Sequence, residues 1–345
     1  MSKIKTIFSA VGILAATSFS ASAVHAADNP IVWRMHTPHT EGRMVYGMEK
    51  DWADMVMAGT NNRIKVQMYP GGALGFKDAD ILGAMKNGLV ETSYVYGGYY
   101  SRDEPALGMI LAQMVFNSRE EFLKTMPAAF EQYGKLYADW GIQLASLWPT
   151  LTCNVATMGK EPYPSLKSLQ GKKIRVWEAQ QVDTLKQLGV SAVVIPQNDL
   201  YLAMKTGVVD GAVHFPEALK ELSLHEDAKY FSLMQPAPVA QGIGISKKAL
   251  QSLPVDLQKA VQEASAKHRE KWLSKTQECQ SEKEDIEWAT GKGVKKIPDF
   301  SAEDRQRISD VAVKVWRARA ARVGGKAVEY QQIMEKELMK VRAGS

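Results

Sequence analysis

The chain has 345 residues, 45% of them hydrophobic and 23% charged, with a formal net charge of +5. A single core usually stops growing near about 250–300 residues, so two domains are expected. The charge is mild, the two signs are interspersed, and there is no polybasic tract, which excludes a nucleic-acid-binding surface.

Lys3 and Lys5 precede an apolar run over residues 7–16, and small residues then lead into "SAVHAADNP". Val24-His25-Ala26 fits a small-x-small cleavage site, so residues 1–26 read as a secretory signal peptide and the mature protein as exported. Losing Lys3 and Lys5 lowers the formal charge to about +3. No later stretch approaches the roughly 20 apolar residues of a membrane span.

Strands and helices then alternate. "IVWRMH" (31–36) reads as a strand, 44–57 as an amphipathic helix, "RIKVQMYP" as a strand ended by Pro70, 78–86 as a helix and "ETSYVY" (91–96) as a third strand. A helix over 119–139, the strand "GIQLASLWP" and the strand "TCNVATMG" follow, the last being a plausible crossing into a second domain. Next come the strand "GKKIRV", a helix over 181–188, the strand "AVVIP", a helix over 199–205 and the short strand "GAVHF". "VAQGIGIS" (239–246) is expected to carry the chain back to the first domain. One long helical run is predicted from Pro254 to about residue 290, and a last helix or two from Ser301, which fits an N-cap with Asp304 in the first turn. The alternation defines an α/β class with largely parallel sheets. Cys153 and Cys279 lie far apart; export permits a disulfide, and the favoured reading is two isolated buried thiols.

The sequence lacks a G-x-S-x-G elbow, a Walker motif and a G-x-G-x-x-G fingerprint. A metal-dependent hydrolase built on His36, His39 and Glu41 is the rival reading, weakened by Pro38, which breaks the helix that would align the two histidines. Open α/β sheets bind ligands beyond the carboxyl ends of their strands. Tyr96, Trp148, Arg175, Trp177, His214 and Phe215 all stand at such ends, and Gly97, Gly98, Tyr99 and Tyr100 follow Tyr96. Each aromatic alone would suit ordinary core packing; together, with one arginine among them, they suggest a pocket for a carboxylate with an apolar body. A buried, unpaired Arg175 costs several kcal/mol, so it must meet an internal acid (Asp199, Asp210 or Glu217) or hold a bidentate place for a ligand carboxylate.

The run 168–216, with "GKKIRV", the "LG" closing the next helix, "P…DLYLAMKTGVVDG" and Pro216, strongly resembles the substrate-binding proteins of tripartite ATP-independent periplasmic (TRAP) transporters. "YPGGALG" followed by "GAMKNGLVETSYV" matches the same family's first domain. The resemblance implies a periplasmic two-domain binding protein of the Venus-flytrap kind, with hinge crossings and a long helix in the C-terminal third running across both domains. It implies no catalysis and no cofactor, a monomer, and a loaded form that docks on the TRAP membrane subunits. It divides the chain into a first domain, 27–150 with about 243–280, and a second, 151–242 with about 281–345. The family's pocket positions fall on His36, Tyr96, Trp148 and the residues after it to Thr152, Arg175, Trp177, Gln197, Asn198, and His214 or Phe215, with Arg175 pairing with the carboxylate. Two departures matter. Phe215 stands where many relatives carry an asparagine, and no second arginine lies near Pro149 to Thr152, where sialic-acid-type relatives have one. Both favour an apolar or aromatic monocarboxylate over a sugar acid, with a C4-dicarboxylate or other polar acid as the alternative.

Overall fold

The computed structural model describes residues 29–345 except 101, 151, 277, 278 and 345, so the expected signal peptide lies outside the described residues. In chain order the first lobe contributes β1 (Ile31–His36), α1 (Met44–Gly59), β2 (Ile64–Tyr69), α2 (Ile81–Lys86), β3 (Thr92–Val95), α3 (Arg119–Asp139) and β4 (Ile142–Pro149). The second contributes β5 (Asn154–Gly159), β6 (Lys173–Val176), α4 (Ala179–Gln187), β7 (Ser191–Val194), α5 (Leu200–Lys205), β8 (Gly211–His214), α6 (Ala218–Glu221) and β9 (Tyr230–Pro236). There follow β10 (Ala240–Ser246), α7 (Lys247–Gln251), α8 (Val255–Lys275), α9 (Gln280–Gly291), β11 (Lys295–Lys296), α10 (Ala302–Val323) and α11 (Lys326–Ala343).

Among these residues the strands form two sheets, ordered β2-β1-β3-β10-β4 and β11-β9-β5-β8-β6-β7. β10 lies antiparallel between β3 and β4, so the chain does return to the first lobe there. β6 runs parallel to both of its neighbours, β7 and β8. Its sequence explains its depth: Ile174 and Val176 are buried against α4 and the first hydrophobic core, and Arg175 alternates to the other face. α3 begins where Ser118 accepts the Glu121 N–H at 3.1 Å, with Glu120 and Glu121 in the first turn complementing the helix dipole. Ser301 caps α10 in the same way, accepting from Asp304 N at 3.0 Å.

The single helical run expected over 254–290 is two helices. The break falls at Cys279, which takes a left-handed conformation with φ 51° and is disulfide-bonded to Cys153, so the reading of two separate thiols is also corrected. Both differences have one cause. The chain crosses between lobes at this point, and three crossing segments converge on Arg119: its Nη2 donates to Thr150 O (2.7 Å) and Thr276 O (3.2 Å), and its Nη1 to Ala237 O (3.4 Å). Glu282 adds a carboxylate that accepts from Asn154 N at 2.6 Å.

α8 packs on α1 and β4, with Trp52 Nε1 donating to Ser265 Oγ at 3.0 Å. Within the tail, α9 sits against α6 and β11, α11 lies on α3, and α10 spans the lobes. α10 packs along α4 and also receives the first lobe, since Trp316 Nε1 donates to Met109 O at 3.0 Å and Ser309 Oγ to Val115 O at 2.7 Å. Among the described residues no helix is long and apolar enough to cross a membrane.

Candidate functional site

A cavity of about 270 Å³ lies between the lobes, beyond the carboxyl ends of β1, β3, β6 and β8. That is at the small end of ligand pockets, which run about 300–1,000 Å³. The first lobe supplies His39, Arg43, Asp78, Tyr94, Tyr96, Gly98 and Tyr99; the second supplies Arg175, Trp177, Glu178, Gln197, Asn198, His214, Phe215 and Glu217; the hinge adds Thr150, Val239 and Gln241.

Arg175 is the centre of the second wall and is 1% exposed. Its Nε donates to Ile195 O at 2.9 Å and its Nη1 to Val213 O at 3.4 Å, while no hydrogen bond among the described residues engages Nη2. None of the acids considered from the sequence, Asp199, Asp210 or Glu217, forms an ion pair with it: Asp210 instead accepts from Lys173 N at 2.7 Å. Burial pushes the guanidinium pKa down to about 10, with Tyr99 acting in the opposite sense, so it remains charged at neutral pH.

Aromatic rings line the same cavity. Trp177 lies 5.5 Å from Phe215 and 6.1 Å from His214, centroid to centroid, and Tyr99 stands edge-on to Tyr96 at 5.1 Å. His214 is held neutral, its pKa driven well below the usual histidine value by burial and then by Arg175. Its Nδ1 accepts from Phe215 N at 2.8 Å, which places the remaining proton on Nε2. On the facing wall Tyr94 donates to Gln241 Oε1 at 2.9 Å and meets His39 edge-on at 4.7 Å.

Side chains from both lobes meet across the cleft. Arg43, at the start of α1, donates through Nε to Glu221 Oε2 of α6 at 2.9 Å, and the Gln197 amide satisfies the same guanidinium in the orientation that turns its oxygen to it, accepting from Nη2 at 3.0 Å. Tyr96 donates to Glu178, which also caps α4 by exchanging hydrogen bonds with Gln181. Burial raises the Glu178 carboxyl pKa, against the lowering effect of the Tyr96 hydrogen bond. A Cβ on Gly98 would lie 2.6 Å from Glu178 Oε1, so only glycine allows the lobes this close an approach.

Of the residues singled out from sequence, Tyr96, Arg175, Trp177, Gln197, Asn198, His214 and Phe215 line the cavity, and both His214 and Phe215 reach it. His36 and Trp148 do not. His36 lies behind the wall, its Nε2 3.1 Å from Asp78 Oδ1, and so supports a lining residue. Trp148 is fully buried in the first-lobe core, edge-on to His268 at 5.1 Å. The histidine-glutamate cluster disperses: His39 Nδ1 pairs with Glu49 at 2.7 Å, His36 with Asp78, and Glu41 is exposed. Among the described residues no group of three histidine, cysteine or acidic side chains is arranged to hold a metal.

Sequence reasoning missed Arg43, Asp78 and Glu178, and considered Glu217 only as an internal partner. Their signal is weak because Arg43 and Asp78 sit in loops entering helices, far in sequence from the strands they face.

Two α/β lobes joined by crossing segments and closed over a cavity with a buried arginine define a hinged solute-binding protein. The chain belongs to the bacterial extracellular solute-binding protein family 7, the DctP family of TRAP binding proteins, whose pattern matches residues 35–322. It is 27% identical to the uncharacterized protein YiiZ of Salmonella typhimurium over 59% of this chain and 63% of that protein. Its fold is similar to that of a TRAP periplasmic solute-binding protein from Ochrobactrum anthropi (TM-score 0.77, 23% identity, 92% of this chain and 97% of that one). It is also similar to DctP7 of Bordetella pertussis, an extracytoplasmic solute receptor binding pyroglutamic acid (TM-score 0.76, 19% identity, 89% and 99% covered).

Proposed function

We propose that the protein captures a small organic carboxylate in the interlobe cavity, with the Arg175 guanidinium as its carboxylate partner, and delivers it in the periplasm to TRAP membrane subunits for import. The observation that carries this reading is a guanidinium 1% exposed, facing a cavity, with no acid among the described residues in ion-pair contact. Such a charge is costly to bury unless a partner arrives, and a ligand carboxylate supplies one with a bidentate fit. The favoured solute is a monocarboxylate with an apolar or planar body, because Trp177, Phe215 and Tyr99 offer ring surfaces beside the cation. Arg43, the other arginine in the cavity, is engaged by Glu221 and Gln197, which disfavours a C4-dicarboxylate needing two cations.

A thermal-shift screen of several hundred small carboxylates tests both levels. A ligand at about 100 times its dissociation constant stabilises the protein by roughly 2.7 kcal/mol. Hits that vanish in Arg175→Met support the reading; hits that persist unchanged overturn the role of Arg175. If succinate, malate or galacturonate outranks every aromatic and branched monocarboxylate, the preferred solute class is wrong while a carboxylate binder remains.

A further inference from the structure

The cavity holds a second unmatched charge-bearing group. Glu217 follows Pro216 at the entry to α6, lines the cavity and is 6% exposed. Its backbone carbonyl takes the Lys220 and Glu221 N–H groups, whereas its carboxyl group forms no ion pair among the described residues. The nearest cation is Arg43, and that fork is already occupied by Glu221 and Gln197. The Thr152 hydroxyl stands beside the carboxyl, and Glu221 and Asp285 add like charge. One cavity therefore presents a cation without an acid, Arg175, and an acid without a cation, Glu217, which do not pair with each other.

We infer that the solute carries, besides the carboxylate assigned to Arg175, a nitrogen-bound hydrogen, on an ammonium or an amide, that Glu217 receives. The inference rests on the proposed carboxylate reading and narrows its solute class to amino acids and lactam acids. A buried carboxyl group that, among the described residues, has the Thr152 hydroxyl beside it and no cation in ion-pair contact penalises a ligand that leaves it bare, and it discriminates strongly between a ligand N–H and a group with no hydrogen to donate in the same place. Burial, then the neighbouring Glu221, pushes the Glu217 pKa up to about 8. A neutral carboxyl matches an amide by accepting from N–H and donating to C=O, whereas an ammonium would draw the carboxylate form and release a proton on binding.

Matched pairs decide, measured by calorimetry on the full mature protein. The probes are phenylalanine against 3-phenylpropionate, which has no donor at that position, and pyroglutamate against 5-oxotetrahydrofuran-2-carboxylate, its ring-oxygen counterpart. The expected result is that the nitrogen member of at least one pair binds about tenfold or more tightly, the size of one hydrogen bond to a charged group. Glu217→Leu should bring the two members of that pair to within about threefold of each other. Glu217→Gln separates the two sources, because it weakens an ammonium ligand and spares an amide one. Members without the N–H that bind as tightly as their nitrogen partners to the wild-type protein, with binding still lost in Arg175→Met, overturn this inference alone. Failure of every member of both pairs and of every other carboxylate to bind, or binding indifferent to Arg175→Met, overturns the carboxylate reading and this inference with it.

Discussion

Arg175 shows how one side chain can be legible before the fold is known. A lone arginine in the strand "KIRV" demands a partner on desolvation grounds, and among the described residues the structure supplies two backbone carbonyls and no carboxylate. Arg175→Lys keeps the charge and loses the planar fork, so binding should weaken by about 1.5–3 kcal/mol with the fold intact. Calorimetry giving an unchanged affinity would remove Arg175 from the binding role. His268 carries a second residue-scale effect. Its Nε2 donates to Met48 O (2.9 Å), its Nδ1 accepts from Ser146 Oγ (2.8 Å), and burial drives its pKa down to about 4 against the raising influence of Met48 O and Asp51, with Lys271 adding a smaller lowering effect. The folded pKa lies below the unfolded value of about 6.5, so the associated stability is present above pH 6.5 and lost as pH falls towards 4. On the order of 2–3 kcal/mol should disappear across that window, and His268→Gln should flatten the melting-temperature profile there. Parallel profiles for the two proteins would rule the effect out.

At the scale of elements, the hinge is where local pattern and structure part. Residues 254–290 read as one helix because their propensities are helical throughout, yet the chain breaks at Cys279 to cross between lobes and to meet Cys153, 126 residues earlier, at a Cα–Cα distance of 5.4 Å. Cross-linking so large a loop constrains the unfolded chain, typically by about 2–4 kcal/mol. Dithiothreitol, or Cys279→Ser, should therefore lower the unfolding free energy obtained from denaturant titration by an amount in that range; an unchanged free energy would mean the bond adds nothing beyond the contacts around Arg119. β9 was invisible to the alternation test for a related reason. "YFSLMQP" is buried nearly throughout and shows no period of two, because α/β strands covered on both faces lose the polar-apolar alternation.

Across the whole molecule, bonds at the cleft and at the hinge hold the closed form. Arg43–Glu221 and Tyr96–Glu178 join the lobes at the cavity mouth, while Arg119 ties the three crossings at the hinge. Arg43→Ala removes a bridge at the moving edge and leaves the hinge whole. Small-angle scattering should give a larger radius of gyration for the unliganded variant than for the wild-type protein, and weaker binding of any solute that needs the closed form. Equal radii would mean that the Arg43 bridge does not bias closure.

The α/β class, the return of "VAQGIGIS" to the first sheet, the Ser301 cap and the strand-end cluster around Arg175 were determined by the sequence, because each depends on neighbours within a few residues or on a chemistry no local partner satisfies. Tertiary structure decided which of those candidates share the cavity: His36 and Trp148 turn behind its wall, and Arg43, Asp78, Glu178 and Glu217 enter it. The physical reason is distance along the chain. Arg43 and Glu221 are 178 residues apart, and Tyr96 and Glu178 are 82 apart, so only the closing of one lobe on the other brings them into hydrogen-bond range.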